Sequence, residues 1–301
     1  MSLSAAELQQ HCQAIITLSE RKHGIFILCE GNINEIKGRV DKYRRLETFP
    51  DANFYKACIP TWWIEKRPTF VPCGDRKDVI DSYFSLRDLG FNVEKIFALV
   101  DLDLQTYPLI DYHVPDTEAL FSLCYQKGKF QKLETKKHKL FITGLIYKEA
   151  YFLIPDLQSL FDHYPTGILV NGKPLNLASL YKTMAEALTP DKNLSANFGR
   201  ACDRINHLEV LDCSSLTGLQ QSWLRAFQSA SEPEKSQLIY ALLTIHQVKT
   251  YWKSFKPRDA VPQERFEEQL TLAIGQFYAK QPRESEHHLP SFFNMLSTIN
   301  A

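Results

Sequence analysis

The apolar residues of the first half fall into short unbroken runs separated by helically spaced stretches. Ile25 to Cys29, Thr69 to Cys73, Ile96 to Val100 and Leu140 to Thr143 are too short for helices and lack in-out alternation, the pattern of strands buried on both faces. Ser4-Ala5-Ala6-Glu7 has the form of a capping box. It predicts an opening helix with Leu8, Cys12, Ile15, Ile16 and Leu18 on its apolar face, ending near His23-Gly24. Asp51 to Cys58 begins a second helix, and Asp75 to Leu89 carries Val79, Ile80, Tyr83, Phe84 and Leu86 at helical spacing before Gly90 stops it. Strands alternating with helices predict parallel βαβ units. Asn32 to Pro50, polar but with Ile33, Ile36 and Val40 spaced for one helical face, reads as an insertion. Leu104 to Pro115, with two prolines, reads as a loop, and Asp116-Thr117-Glu118 caps a short helix.

The character changes after about Asp156. Leu177 to Leu188, Phe198 to Leu208, Leu216 to Phe227, Pro233 to Phe255 and Pro262 to Tyr278 show helical periodicity, several with proline or a capping residue at the start. The expected architecture is α/β: a parallel sheet flanked by helices over residues 1–165, with the insertion at about 32–50, followed by a mainly α-helical domain over 166–301. A chain of 301 residues with 44% hydrophobic content suits two domains. Equal basic and acidic counts, 35 each, exclude a global basic field, so any nucleic-acid contact must be local. Seven scattered cysteines without Cys-x-x-Cys spacing read as reduced core thiols, and no apolar run reaches membrane-spanning length. A soluble cytoplasmic protein with no membrane partner is expected.

Candidate chemistry lies where two runs end. The first stops on Glu30-Gly31 and the third on Asp101-Leu102-Asp103. Ligands of open α/β sheets gather outside the carboxyl ends of the strands, and carboxylate oxygens suit Mg²⁺ or Mn²⁺. A lone acidic residue after a strand is as often a helix cap or a solvated turn; the joint occurrence of three singles out this edge.

These residues carry a resemblance. Ile27-Leu28-Cys29-Glu30-Gly31, Asp51-x-x-Phe54-Tyr55, Cys73-Gly74-x-x-Lys77-x-Val79, Val100-Asp101-x-Asp103 and Tyr147-x-Glu149-x-Tyr151-x-Leu153 follow one another as in the TOPRIM domain of topoisomerases, primases and OLD-family nucleases. The sequence most resembles the TOPRIM-like nucleases of bacterial anti-phage defence loci, often encoded beside an ATPase. The likeness covers roughly the first half of the chain. It departs from the pattern where Asn32 to Pro50 separates Glu30-Gly31 from Asp51, so either Asp51 returns to the sheet edge or Asp41 or Glu35 takes its place. The resemblance implies a Mg²⁺- or Mn²⁺-dependent nuclease. Glu30, Asp101 and Asp103 would be catalytic and metal-binding, with Asp51 and Glu149 as further ligands. DNA or RNA would be the substrate, with a partner ATPase and a homodimer as further associations. Asp101 and Asp103 would bind one ion, and Glu30 a second ion or the proton of the attacking water.

Arg76 and Lys77, in the first turn of the helix after Gly74, are candidate phosphate ligands, with simple solvation as the equal alternative. Lys127, Lys129, Lys132, Lys136, Lys137 and Lys139, with Phe130 and His138 among them, read first as a solvated loop and second as a nucleic-acid track. Trp62-Trp63 reads as core or interface packing ahead of base stacking, and His287-His288 as a polar tail. Gly167 to Gly172 lacks the Gly-Lys-Ser/Thr of a phosphate loop, which argues against an internal ATPase. Two rivals stand beside the nuclease: a catalytically silent TOPRIM-like interaction module acting with an ATPase, and a glycosyltransferase in which Asp101-x-Asp103 holds a metal-bound nucleotide sugar.

Overall fold

The computed structural model describes residues 3–20, 24–33 and 46–299. The expected end of the first helix near His23, the insertion positions Ile36 and Val40, and the alternative ligands Glu35 and Asp41 lie outside them. Two compact units share the chain: Met1–Asp101, Phe130–Ile142 and Thr271–Ala301 form the first, Leu102–Lys129 and Thr143–Leu270 the second. Neither is a continuous half, so this partition differs from a single cut near residue 165.

The first unit is built on four parallel strands, β1 (Phe26–Cys29), β2 (Thr69–Pro72), β3 (Ile96–Val100) and β4 (Leu140–Ile142), in the order β2-β1-β3-β4. Every residue in them is buried, as their unbroken apolar runs require. The helices are α1 (Ala5–Ser19), α2 (Pro50–Ala57) and α3 (Arg76–Asp88). α1 starts on the expected capping box, Ser4 N–H to Glu7 at 2.8 Å and Glu7 N–H to Ser4 Oγ at 3.4 Å.

Register pairs Ile27 with both Phe70 and Phe97, and Leu99 with Phe141, so the pleat puts these residues on one face. Phe97 stacks on Phe141 at 5.6 Å, and Tyr55 of α2 stacks on Phe70 at 5.9 Å. The same face receives the helix His288–Ile299, Phe293 meeting Phe70 at 6.1 Å and Phe292 meeting Phe141 at 4.9 Å. α3 packs on β1 and β3 and against α1. The reading of His287-His288 as a polar tail is therefore corrected: His288 is buried and opens a helix that covers the sheet. Gly275, in the part of helix Gln263–Ala279 belonging to this unit, lets that helix touch α2, since a Cβ there would stand 2.6 Å from Ala57 Cβ.

The second unit is mainly helical, with Thr117–Cys124, Leu177–Glu186, Phe198–Ile205, Leu216–Ser229 and Glu232–Ile245 as its longer helices. Trp223 centres its packing, its Nε1–H donating to Leu238 O at 2.8 Å and its ring stacked on Phe227 at 4.7 Å. Two departures from the expected pattern occur here. Ile168–Val170 lies between Lys173–Pro174 and Phe255–Pro257 in a small antiparallel sheet. Its hairpin turns at Asn171 (φ +51°) and Gly172 (φ +75°), the positive pair that a two-residue hairpin needs. The helix expected over Pro233 to Phe255 ends at Ile245, because His246 is extended (φ −110°, ψ 140°) and its ring is bonded to Asp191 and Tyr251; a short helix, Lys249–Lys253, follows. Among the described residues, no helix is long and apolar enough to cross a membrane.

Candidate functional site

In the first unit, β2 lies on one side of β1 and β3 on the other, so successive crossovers leave β1 in opposite directions. The carboxyl ends of β1 and β3 flank this reversal of strand order, the place where open α/β sheets bind ligands. Glu30 follows β1 and Asp101 follows β3 directly. The two are joined: Asp101 N–H donates to Glu30 Oε1 at 2.8 Å. Glu30 is half-buried, and Asp101 is 8% exposed.

Asp51 returns to this edge. It lies in the first turn of α2, and a Cβ added to Gly31 would meet its Oδ2 at 3.1 Å and Pro72 Cβ at 2.9 Å. Gly31 thus allows the carboxylate to approach the backbone just after Glu30. Gly31 and Gly74 exchange N–H to O bonds of 2.9 Å each, clasping the ends of β1 and β2.

The turn after β2 is closed by carboxylates. Gly74 has φ +103°, and a side chain there would run into Asp78. Asp78 N–H donates to Asp75 Oδ1 at 3.1 Å, Asp75 N–H to Asp78 Oδ2 at 3.2 Å, and Leu3 N–H to Asp78 Oδ1 at 2.7 Å. Burial pushes the Asp78 carboxyl above its ordinary range. The N–H groups of Gly74, Asp75 and Asp78 are thus engaged by protein acceptors. Lys77, half exposed, pairs with Asp81 at 2.5 Å. Beneath the turn His11 Nε2 lies 3.2 Å from Cys73 Sγ. Burial holds the imidazole down to about 4 and pushes the thiol well up, so the pair is a neutral core contact without an activated nucleophile.

The second unit holds Asp103 and Glu149. Asp103 has φ +48°, and its Oδ1 accepts from Leu104 N–H at 2.6 Å, Gln105 N–H at 3.5 Å and Tyr147 Oη–H at 3.4 Å. That is an Asx turn, in which the carboxylate folds back on its own chain. Its carbonyl accepts from Arg204 Nη2 at 2.6 Å, and Arg200 donates to Leu104 O. Arg204, whose side chain is 1% exposed, also makes a two-pronged pair with Glu118 at 3.0 and 2.6 Å. Glu149 Oε2 is buried without a hydrogen-bond partner, 4.0 Å from Lys249 Nζ, and Lys249 lies 4.3 Å from the Tyr147 ring centre. Arg200, Arg204 and Lys249 were not singled out from sequence, and Glu118 was read only as part of a helix cap. The one signal was the i, i+4 spacing of the two arginines.

Among the described residues no three His, Cys, Asp or Glu side chains converge closely enough to hold an ion. Mg²⁺ commonly takes only one or two protein carboxylates and keeps several waters. The lysine run is divided between the two units, and Lys137 pairs with Glu134 at 2.7 Å and Lys139 with Glu94 at 2.8 Å. Trp63 is buried, and Arg283 covers the Trp62 ring at 4.2 Å. Comparison of the chain with protein-family models, with curated proteins and with solved structures finds no match in any of the three.

Proposed function

We propose that the chain is a TOPRIM-like, Mg²⁺- or Mn²⁺-dependent phosphodiester hydrolase acting on DNA or RNA, with its centre at the carboxyl edge of the parallel sheet. The observation that carries this reading is the joining of Glu30 to Asp101 at the strand-order reversal, with Asp51 brought to the adjacent Gly31. Asp101 would hold the ion, with Asp51 as a further carboxylate of the family pattern. An ion held there would supply charge neutralisation of the phosphate and stabilisation of the leaving alkoxide. Glu30, oriented by the Asp101 amide, takes the proton of the attacking water on its carboxylate. Lys77 and Arg76 contact the substrate backbone. A partner ATPase and a role in anti-phage defence belong to the same proposal.

The silent interaction module is the second reading. It is favoured by the Asx turn that engages Asp103 and by the absence, among the described residues, of a three-carboxylate cluster.

Glu30→Gln separates the two, because glutamine keeps an oxygen for the Asp101 amide while removing the charge. Calorimetric titration with Mn²⁺ and cleavage of labelled single- and double-stranded DNA and structured RNA, with and without the ATPase, form the assay. The nuclease reading expects Asp101→Asn to lose ion binding and cleavage together, and Glu30→Gln to slow cleavage by about 10²–10⁴. Cleavage at the wild-type rate in both variants overturns the site. No ion binding and no cleavage by the folded wild type establishes the silent module.

A further inference from the structure

The second unit contains a chain of buried polar groups that the sheet-edge site does not use. Asp191 Oδ2 lies 3.0 Å from His246 Nδ1, and His246 Nε2 lies 3.3 Å from Tyr251 Oη. The Asp191 and His246 side chains are 10% and 5% exposed. Asp191 Oδ1 is also fixed, accepting from Asn193 N–H at 2.9 Å and Leu194 N–H at 3.0 Å. Burial works against the charge on Asp191, but hydrogen bonds from His246 and the two amides outweigh it, and the carboxyl lies below its ordinary range.

An ionised Asp191 can only accept, so Nδ1 carries the imidazole proton. In the Nδ1–H tautomer Nε2 carries no proton and accepts the hydrogen bond of Tyr251 Oη–H. Tyr251 Oη is left with lone pairs to offer. Tyr251 lines a cleft of about 510 Å³, within the usual range for small-molecule sites. Lys173, on the Asn171-Gly172 hairpin, is the single charged lining residue among those described. Val170, Pro174, Leu175 and Leu180 give the cleft an apolar wall, and Asn176 and Ser179 at the start of helix Leu177–Glu186 add polar groups.

We propose that this cleft binds a mononucleotide, with the phosphate on Lys173, the base against the apolar wall, and a ribose O–H or base N–H donated to Tyr251 Oη. The one cation among the described lining residues selects an anion, and an acceptor held in place by the Asp191–His246 pair selects a donor on the same molecule. The site is independent of Glu30 and Asp101.

The test is calorimetric titration of the full chain with AMP and UMP in buffer containing EDTA, with adenosine, uridine and inorganic phosphate as fragment probes. Saturable binding of at least one nucleotide below about 1 mM is expected, with its nucleoside and phosphate each at least about tenfold weaker. Tyr251→Phe should weaken it about tenfold, and Lys173→Ala ten- to hundredfold, the scale of a neutral and a charge-assisted hydrogen bond. Lys173 lies on an exposed hairpin, so its variant keeps the test open if Tyr251→Phe unfolds. Glu30→Gln should leave nucleotide binding unchanged. Absence of saturable binding by either nucleotide, wild-type affinity in Lys173→Ala, or loss of binding in Glu30→Gln overturns the proposal.

Discussion

Replacing Arg204 by Met tests a buried charge of the second unit that several groups engage. The guanidinium makes two bonds to Glu118, one of 2.6 Å to Asp103 O and a long one of 3.5 Å to Thr244 O, and lies 5.5 Å from the Phe121 ring centre. Methionine fills much of the volume but leaves the Glu118 carboxylate without its main partner. Breaking a buried pair from one side costs about 3–5 kcal/mol. Glu118 is itself 20% exposed and keeps Arg200 at 3.9 Å, so the expected cost lies near the lower end, about 3 kcal/mol. The assay is urea denaturation, with hydrogen exchange at the Leu104 and Gln105 amides, which report the Asp103 turn directly. Adding Glu118→Leu removes the stranded charge, so the double variant should recover about half the loss or more. Loss of the Arg204 bond to the Asp103 carbonyl accounts for the remaining ~1–2 kcal/mol. A single-variant loss under about 1 kcal/mol, or a double variant less stable than the single, would refute the reasoning.

Two further predictions concern the sheet edge and its support. Gly31→Ala places a methyl 2.9 Å from Pro72 Cβ and 3.1 Å from Asp51 Oδ2, so it should destabilise by about 1–3 kcal/mol in chemical denaturation. Mn²⁺ titration should also show weaker binding, because the carboxylate beside Glu30 is pushed away. His11 stays neutral in the fold down to about pH 4 while the unfolded chain binds its proton near 6.5. Its contribution is therefore complete above pH 6.5 and falls away as pH drops toward 4, a loss on the order of 3 kcal/mol. Denaturation midpoints of wild type and His11→Phe compared between pH 7.5 and 4.5 check it, and equal slopes in the two proteins would show that His11 is not the titrating group.

The sheet was legible because its strands are buried on both faces. Residues such as Ile27 and Phe97 have no polar alternative, so the runs stand out unbroken and their ends mark the carboxyl edge. The covering helix was not. His288–Ile299 carries Leu289, Phe292, Phe293 and Leu296 at helical spacing with Pro290 in its first turn, and the adjoining histidines drew the reading toward a polar tail. Periodicity identifies a helix but not the sheet it covers, so nothing in the local pattern assigned Phe292 and Phe293 to Phe141 and Phe70. The small sheet was legible in principle. Asn171-Gly172 is a strong hairpin signal, and testing it only as a phosphate loop passed over the strands on either side.

The candidate site divides along the same physical line. Glu30 and Asp101 were legible because each is the first residue after an unbroken apolar run; the structure adds the register, Cys29 opposite Leu99, that brings the Glu30 side chain to the Asp101 backbone. Asp103 was grouped with Asp101 as the second acid at the strand end, both to face one ion if the chain turned. β3 ends at Val100, and by Asp103 the backbone is left-handed at φ +48°. From there the carboxylate is bonded by its nearest amides, Leu104 and Gln105, and the backbone carbonyls of Asp103 and Leu104 by an arginine pair about a hundred residues further along the chain. The residues that set the Asp103 turn, Arg204 and Glu118, bear on it through tertiary contact alone. Spacing arguments reach as far as regular backbone extends, and the chemistry of this chain begins where that backbone stops.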